Sequence, residues 1–273
     1  MRQILATLAW LVATLALTAA IGTGWAATHV QDEDGFVEMS SRLGDDREVQ
    51  QTAASLAGEA FADQPRVPAV LHDQAASAMR RAVLALTSSP DWDEAWRETT
   101  RRTHERLFSD PPPADVRVDI APVVGVAINE VTAVLPVDLP APRSLPVVVS
   151  EDDPAPFVRY LSRAESAAVG SLAVAGVAGL LAVLLARRRW RMVAELGLSA
   201  VIAAATWWLI GRLVVPRVVE REAEATAYGR ELHDVLTDRI VSSLDPTLLW
   251  VALAGAVVAV GAGALALVSA RRA

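Results

Sequence analysis

Apolar and polar residues alternate in long blocks along this chain before they alternate within elements. Four stretches, residues 4–27, 167–186, 192–215 and 247–270, are predominantly apolar. Each is long enough to cross a bilayer, which takes about 20 apolar residues. Between them lie mixed segments at 28–166 and 216–246. In the longer one, Phe36, Val37, Met39 and Leu43, then Val49, Ala53, Leu56, Ala57 and Ala60, recur at helical spacing on either side of Gly44-Asp45-Asp46. They predict two helices. A third amphipathic helix is expected over 70–86, with Val70, Leu71, Ala75, Ala78, Met79, Ala82, Val83 and Leu86 on one side.

The fourth predicted helix is SSPDWDEAWRETTRRTHERLF, residues 88–108. Ser88 is placed to cap it, with Asp91 completing an S-x-x-D box and Pro90 in the first turn. Its acids come first and its arginines later, matching the helix dipole. Asp93 with Arg97 and Glu98 with Arg102 are spaced for i,i+4 pairs. Trp92, Trp96, Thr99, Thr103 and Leu107 form one stripe, and His104 falls on its border.

Prolines then change the texture: ten of them lie between Asp110 and Phe157. Residues 116–120 and 145–149 alternate and are β-branched, as strands are, with a helix expected between them over 121–135. From Pro156 the pattern predicts one helix running on into the second span. Residues 216–246 read as another amphipathic helix, with Tyr228, Leu232, Val235, Leu236, Ile240 and Leu244 three or four apart. The expected fold class is mainly α: a four-helix transmembrane bundle with a mostly helical extracytoplasmic domain carrying a minor two-strand β element.

Arginine placement orients the spans. ARRRWR (residues 186–191) joins the second and third, Arg2 begins the chain and Arg271-Arg272 lie near its end. Arginine-rich short loops stay in the cytoplasm. Both termini are therefore expected inside, with residues 28–166 and 216–246 outside and the protein in the cell membrane. The expected organisation is an N-terminal anchor over 1–27, an extracytoplasmic helical domain over 28–166, spans two and three over 167–215, an extracytoplasmic amphipathic helix over 216–246, and span four with a basic tail over 247–273. The alternative for the first span is a cleaved signal peptide, with Gly24 and Ala26 at the −3 and −1 positions. Its apolar run, however, exceeds the ~7–15 residues of a signal core.

Charge sharpens this. Residues 28–164 hold 23 acids against 13 arginines, and 216–245 hold 7 against 4. The segments expected outside are acidic, and the net charge of −7 gives nucleic-acid binding no electrostatic support. All 25 basic residues are arginine, and there is no cysteine. Schiff-base lysines, P-loops, disulfides and thiolate chemistry are excluded. The ionisable residues nearest the span interiors, Glu195 and Arg212, lie close to the edges of span three and read as interfacial anchors. Small residues four apart, Ala175 with Gly179 and Gly255 with Ala259 and Gly263, suit close helix packing within one bundle.

Motifs for chemistry are thin. His104-Glu105 opens an H-E pair, but Phe108 stands where H-E-x-x-H needs its second histidine. His233-Asp234 with Asp238, and His72-Asp73, set acids beside a histidine, but metal binding by these or by His29 needs a convergent fold. The clusters Asp32-Glu33-Asp34 and Glu151-Asp152-Asp153 suit weak attraction of divalent cations and lack calcium-loop spacing. No catalytic, cofactor or metal residues are assigned. His104 is the one candidate for a functional side chain.

DDREVQQTAASLAGEAF (residues 45–61), the helix with Trp96 and His104, and the Val118-Asp119-Ile120 run together resemble a family of uncharacterised actinobacterial integral membrane proteins. The resemblance covers residues ~35–170 and implies an anchor, an extracytoplasmic helical domain and three further transmembrane helices. It implies no activity. The expectation is a multi-pass, non-enzymatic interaction, sensing or scaffold protein whose acidic outer domain meets another membrane or envelope protein, with lipid as its other partner. The alternatives are an extracytoplasmic metal-dependent or His/acid enzyme and an accessory subunit of a transporter.

Overall fold

The computed structural model describes residues 1–132, 141–150, 153–214, 216–217 and 229–271. The chain divides into two compact units. The first takes Met1–Gln31, Arg163–Arg217 and Ile240–Ala273; the second takes Asp32–Ser162 with the described part of Val218–Arg239.

The first unit holds α1 (Arg2–Ala26), which ends in a π-helical turn at Ala27–Gln31. The second opens with α2 (Glu33–Ser41) and α3 (Arg47–Ala62). Both start on aspartates, as helix N-caps should. The Asp32 carboxylate accepts from the Gly35 N–H at 2.8 Å, and Asp46 from the Glu48 N–H at 2.8 Å. The helix expected from residue 70 starts later: Ala69–Leu71 form a 3-10 turn after Pro68, which leaves Val70 exposed rather than on the apolar side. The helix α4 then spans His72–Leu86, with α5 at Pro90–Leu107. The strand β1 (Val116–Asp119), helix α6 (Ala121–Thr132) and strand β2 (Pro146–Ser150) follow. The strands pair antiparallel, Val118 opposite Val147 and Asp119 opposite Pro146, with a register irregularity between Val116 and Arg117. The part of the expected 121–135 helix beyond Thr132 lies outside the described residues. The core of this unit is made by α3, α4, α5 and α6: Phe61, Met79, Val83, Trp92 and Val124 are its largest closed hydrophobic side chains.

Next come α7 (Ala155–Leu161), α8 (Ala164–Leu185), α9 (Arg189–Leu213) and α10 (Gly229–Arg271). The single helix expected from Pro156 into the second span is interrupted. Ser162 and Arg163 form a turn, and Arg163 leaves the helical region at φ −106°, ψ 3°. The Glu165 N–H at the new helix start finds an acceptor in the Gln31 side chain at 3.0 Å. By contrast α10 runs unbroken through Pro246, so the expected boundary at 246/247 falls inside one helix. Tyr228 lies outside the described residues.

Among the described residues, four helical stretches are long and apolar enough to cross a membrane: Arg2–Gln31, Ala164–Leu185, Arg189–Leu213 and Val241–Ser269. Their outward side chains, such as Leu15, Leu180, Leu209 and Val257, are large, apolar and exposed. A soluble protein would bury such residues; lipid accepts them. The chain is a multi-pass membrane protein.

Within this bundle α1 packs along α8 most extensively and along α9 less. Ile21, Ala203, Ala204, Leu244 and Leu248 form one buried cluster, and Ala6, Ala182, Ala186 and Met192 another. Indole N–H groups tie helices together: Trp207 donates to Thr18 O at 2.7 Å, and Trp25 to Ser243 Oγ at 3.1 Å. The helices α9 and α10 cross where Gly197 meets Gly255 and Ala259. A Cβ on Gly197 would stand 2.6 Å from both Ala259 N and Gly255 O. The Gly255-Ala259 spacing thus serves packing inside the bundle, while Gly263 faces open space. Glu195 pairs with Arg191 at 3.1 Å. Arg212 lies over the Trp208 ring at 5.3 Å, with Asp245 at 3.9 Å.

Candidate functional site

The helix α5 starts one residue later than its sequence suggests. Ser89, not Ser88, takes the N-cap position, and its side chain makes no capping bond. Pro90 explains this. A residue before proline is pushed out of the α region, and Ser89 is extended at φ −108°, ψ 154°. The proline itself fills the first helical position, where no N–H partner is needed.

The face that α5 turns inward is also rotated from the expected stripe. Its buried residues are Trp92, Ala95, Thr99, Thr100 and His104, while Thr103 and Leu107 are only partly covered. The rotation comes from packing on two sides: α6 and β1 meet one side and α2 the other.

Two tryptophans close the end of α2. The Trp96 Nε1–H donates to Ser40 O at 2.9 Å, and the Trp92 Nε1–H to Gly44 O at 2.9 Å. Each indole N–H thus finds a partner inside the fold, and each adds a second donor to its carbonyl: Ser40 O also accepts from the Leu43 N–H at 3.0 Å. The two rings stack at 5.6 Å between centroids. Gly44 O also accepts from Gln50 Nε2 at 2.8 Å. One oxygen thereby joins the exit of α2, the start of α3 and the start of α5. Only glycine fits there, because a Cβ on Gly44 would stand 2.6 Å from Trp96 Cδ1.

His104 lies between two aromatic rings, Phe36 at 5.1 Å and Phe108 at 4.6 Å, and is 5% exposed. Phe36 belongs to α2, so the imidazole helps wedge α2 onto α5. A solute could reach the ring only by parting these helices. The two other histidines with described side chains make local contacts. His29 stacks on Trp25 and contacts Thr28 Oγ1 at 2.8 Å; His72 Nε2 lies 3.2 Å from Val67 O. The His233 side chain is outside the described residues. Among the described residues no three histidine or acidic side chains converge as a metal site would need.

The acidic clusters are occupied in part by local structure. Asp32 caps α2, Glu33 pairs with Arg101 at 3.4 Å, and Asp153 accepts from the Ala155 N–H at 2.9 Å to cap α7. Glu151 and Asp152 lie outside the described residues. Of the two ion pairs expected on α5, Glu98 with Arg102 forms at 2.8 Å, and Glu98 also takes Arg101 at 2.7 Å. Asp93 and Arg97 form no ion pair in the described structure.

The Arg102 hydrogen bond acts most strongly on the Glu98 carboxyl; burial, next in size, opposes it, and the Arg101 bond and both charges add to the lowering, so the carboxyl lies below its ordinary 4.5. A depressed carboxylate contributes its stabilisation above the unfolded pKa and loses it as pH falls through the folded one. We expect acid to cost wild type a little more stability below pH 4.5 than it costs Glu98→Gln. The effect is small because the pair is about one-third exposed. Melting of the full chain between about pH 3 and pH 6 checks this; superimposable profiles would refute it.

One carboxylate with a larger structural role is less conspicuous in the sequence. Asp119, 8% exposed, accepts from Ala121 N at 3.1 Å, Leu145 N at 2.8 Å and Ser144 Oγ at 2.9 Å. It fastens the start of α6 to the start of β2. Its local signal is an acid two residues before Ala121-Pro122; its long-range partners carry none.

No family model, curated protein or solved structure matches this chain. The function is therefore argued from its own geometry.

Proposed function

We propose that this membrane protein acts by interaction rather than catalysis. In this reading both termini are cytoplasmic, and residues 28–166 and 216–246 lie outside the membrane. The acidic outer domain then meets a partner in the membrane or envelope. The observation that carries the reading is the use made of α5. The segment richest in candidate chemistry spends its tryptophans on the end of α2 and its histidine on the α2 contact. What is left for function is the acidic surface around a folded core, 23 acids against 13 arginines over residues 28–164. Such a surface suits a basic partner and repels anionic headgroups. With Ser162 and Arg163 breaking the helix before α8, the reading no longer includes a rigid rod from the outer domain into the second span.

A membrane-impermeant, carboxylate-reactive crosslinker applied to intact cells tests this. Adducts on residues 28–166 that contain a second envelope component are expected. Recovery of no partner, or adducts only after the cells are opened, would overturn it.

A further inference from the structure

One end of the membrane bundle is built from arginine. The turn between α8 and α9 carries Arg187 and Arg188, and the first turn of α9 adds Arg189 and Arg191; these four make up the arginine turn. Arg2 is already committed: its Nε and Nη2 each donate at 3.0 Å, to Leu185 O and Leu184 O, and so close the last turn of α8. Arg191 is paired with Glu195. Arg187, Arg188 and Arg189 are exposed and form no ion pair among the described residues. Three uncompensated cations side by side repel one another and gain from an anion.

Two clefts flank this turn. One, of about 570 Å³, lies against the start of α1, where Gln3, Thr7 and Trp10 face Arg187, Arg188 and Arg191, with the Glu195 carboxylate also in its wall. The other, of about 560 Å³, lies against the end of α10, where Arg189 and Trp190 face Ser269. Each has guanidinium groups, which match phosphate oxygens in a planar fork. The Gln3 amide adds a donor in the first cleft, while the Thr7 and Ser269 hydroxyls donate to Gln3 O and Ala266 O of their own helices. Both open at the ends of membrane-crossing helices, the depth of lipid headgroups, and Trp10 and Trp190 suit that depth. Beside them the surface turns apolar: Leu5 and Leu8 on α1, Leu181 and Leu184 on α8, and Leu267 and Val268 on α10 are all exposed. A free phosphate ion would use only the arginines. A phospholipid would use the arginines for its headgroup and the leucine surface for its chains.

We propose that the arginine turn between α8 and α9 binds the phosphate of an anionic phospholipid, held in the two clefts beside it. The site selects anionic over zwitterionic lipid because the trimethylammonium of phosphatidylcholine would face the same arginines. Attraction of this kind grows with each basic residue near the headgroup.

Native mass spectrometry of the detergent-purified full chain, titrated with phosphatidylglycerol or phosphatidylcholine, tests it. Wild type is expected to bind phosphatidylglycerol about tenfold more tightly or better. Arg187→Gln/Arg188→Gln/Arg189→Gln is expected to lose that preference, and Arg188→Gln alone to lose part of it should the triple variant fail to fold. Arg80→Gln/Arg81→Gln, which removes two exposed arginines from α4, should keep it. Equal binding of the two lipids to wild type, an unchanged preference in the arginine-turn variants, or an equal loss in the α4 variant would each overturn the proposal. Inorganic phosphate at the lipid's concentration should not displace it. Displacement would mean an ion site instead.

Discussion

Trp92→Ala is expected to unfold the unit built on Asp32–Ser162. Trp92 is 2% exposed and sits among Ala53, Ala57 and Val124 in the same core cluster. Truncating a buried tryptophan to alanine costs about 3–5 kcal/mol, which is a large part of the 5–15 kcal/mol that holds a typical domain. The lost indole N–H adds less than it would elsewhere, because Gly44 O keeps Gln50 as a donor. Trp92→Phe separates the two contributions: it keeps most of the packing, removes the N–H, and should cost about 1–2 kcal/mol. Hydrogen exchange on the full chain reads this locally. Amides of α2, α3 and α5 should lose protection together in Trp92→Ala. Protection of α2 that survives the substitution would show that Trp92 does not hold it.

The second large effect is expected inside the membrane. In Gly255→Leu the new Cβ would stand 2.6 Å from Gly197 O, 2.8 Å from Ala200 Cβ and 3.2 Å from Val201 N. Two of these are backbone atoms in the middle of helices, so relief requires α9 and α10 to separate. Overpacking commonly costs 1–3 kcal/mol, and this crossing should lie at or above about 3 kcal/mol because no rotamer avoids the first carbon. Lipid gives little back, since helices in a bilayer associate largely through such close packing. The melting temperature of the purified full chain should fall by about 10 °C, taking soluble-protein scaling. Gly261→Ala is the control, because its Cβ would meet nothing within 4 Å. Equal melting of the two variants would place the helix crossing elsewhere.

These two sites differ in how far the sequence discloses them. The spans and the helices at Glu33–Ser41, Arg47–Ala62, His72–Leu86 and Pro90–Leu107 follow from periodicity and short-range chemistry, and the structure has them. So does the Gly255-Ala259 spacing, although nothing in α10 alone names Gly197 as its partner. The candidate site was legible only in outline. Trp92 and Trp96 stand out on their helix, yet their acceptors, Gly44 O and Ser40 O, lie 48 and 56 residues away and are backbone atoms. A backbone carbonyl has no sequence signature. A stripe fitted to one neighbour leaves His104 at its border, whereas α5 has neighbours in α2, α6 and β1. Local rules favour Ser88 as the cap because they see a serine and an acid three residues on. The geometry belongs to the proline between them.

The pairing of α1 with α8 has a consequence for biosynthesis. The first helix is made at once, but its principal neighbour begins at Ala164, after Asp32–Ser162 has been synthesised. At about 5–20 residues per second that is a wait of roughly 7–28 s. During it the small-residue face of α1 around Ala6 has no helix of its own chain to lie against. The bilayer, or a chaperone in it, must shield that face until the rest of the chain arrives.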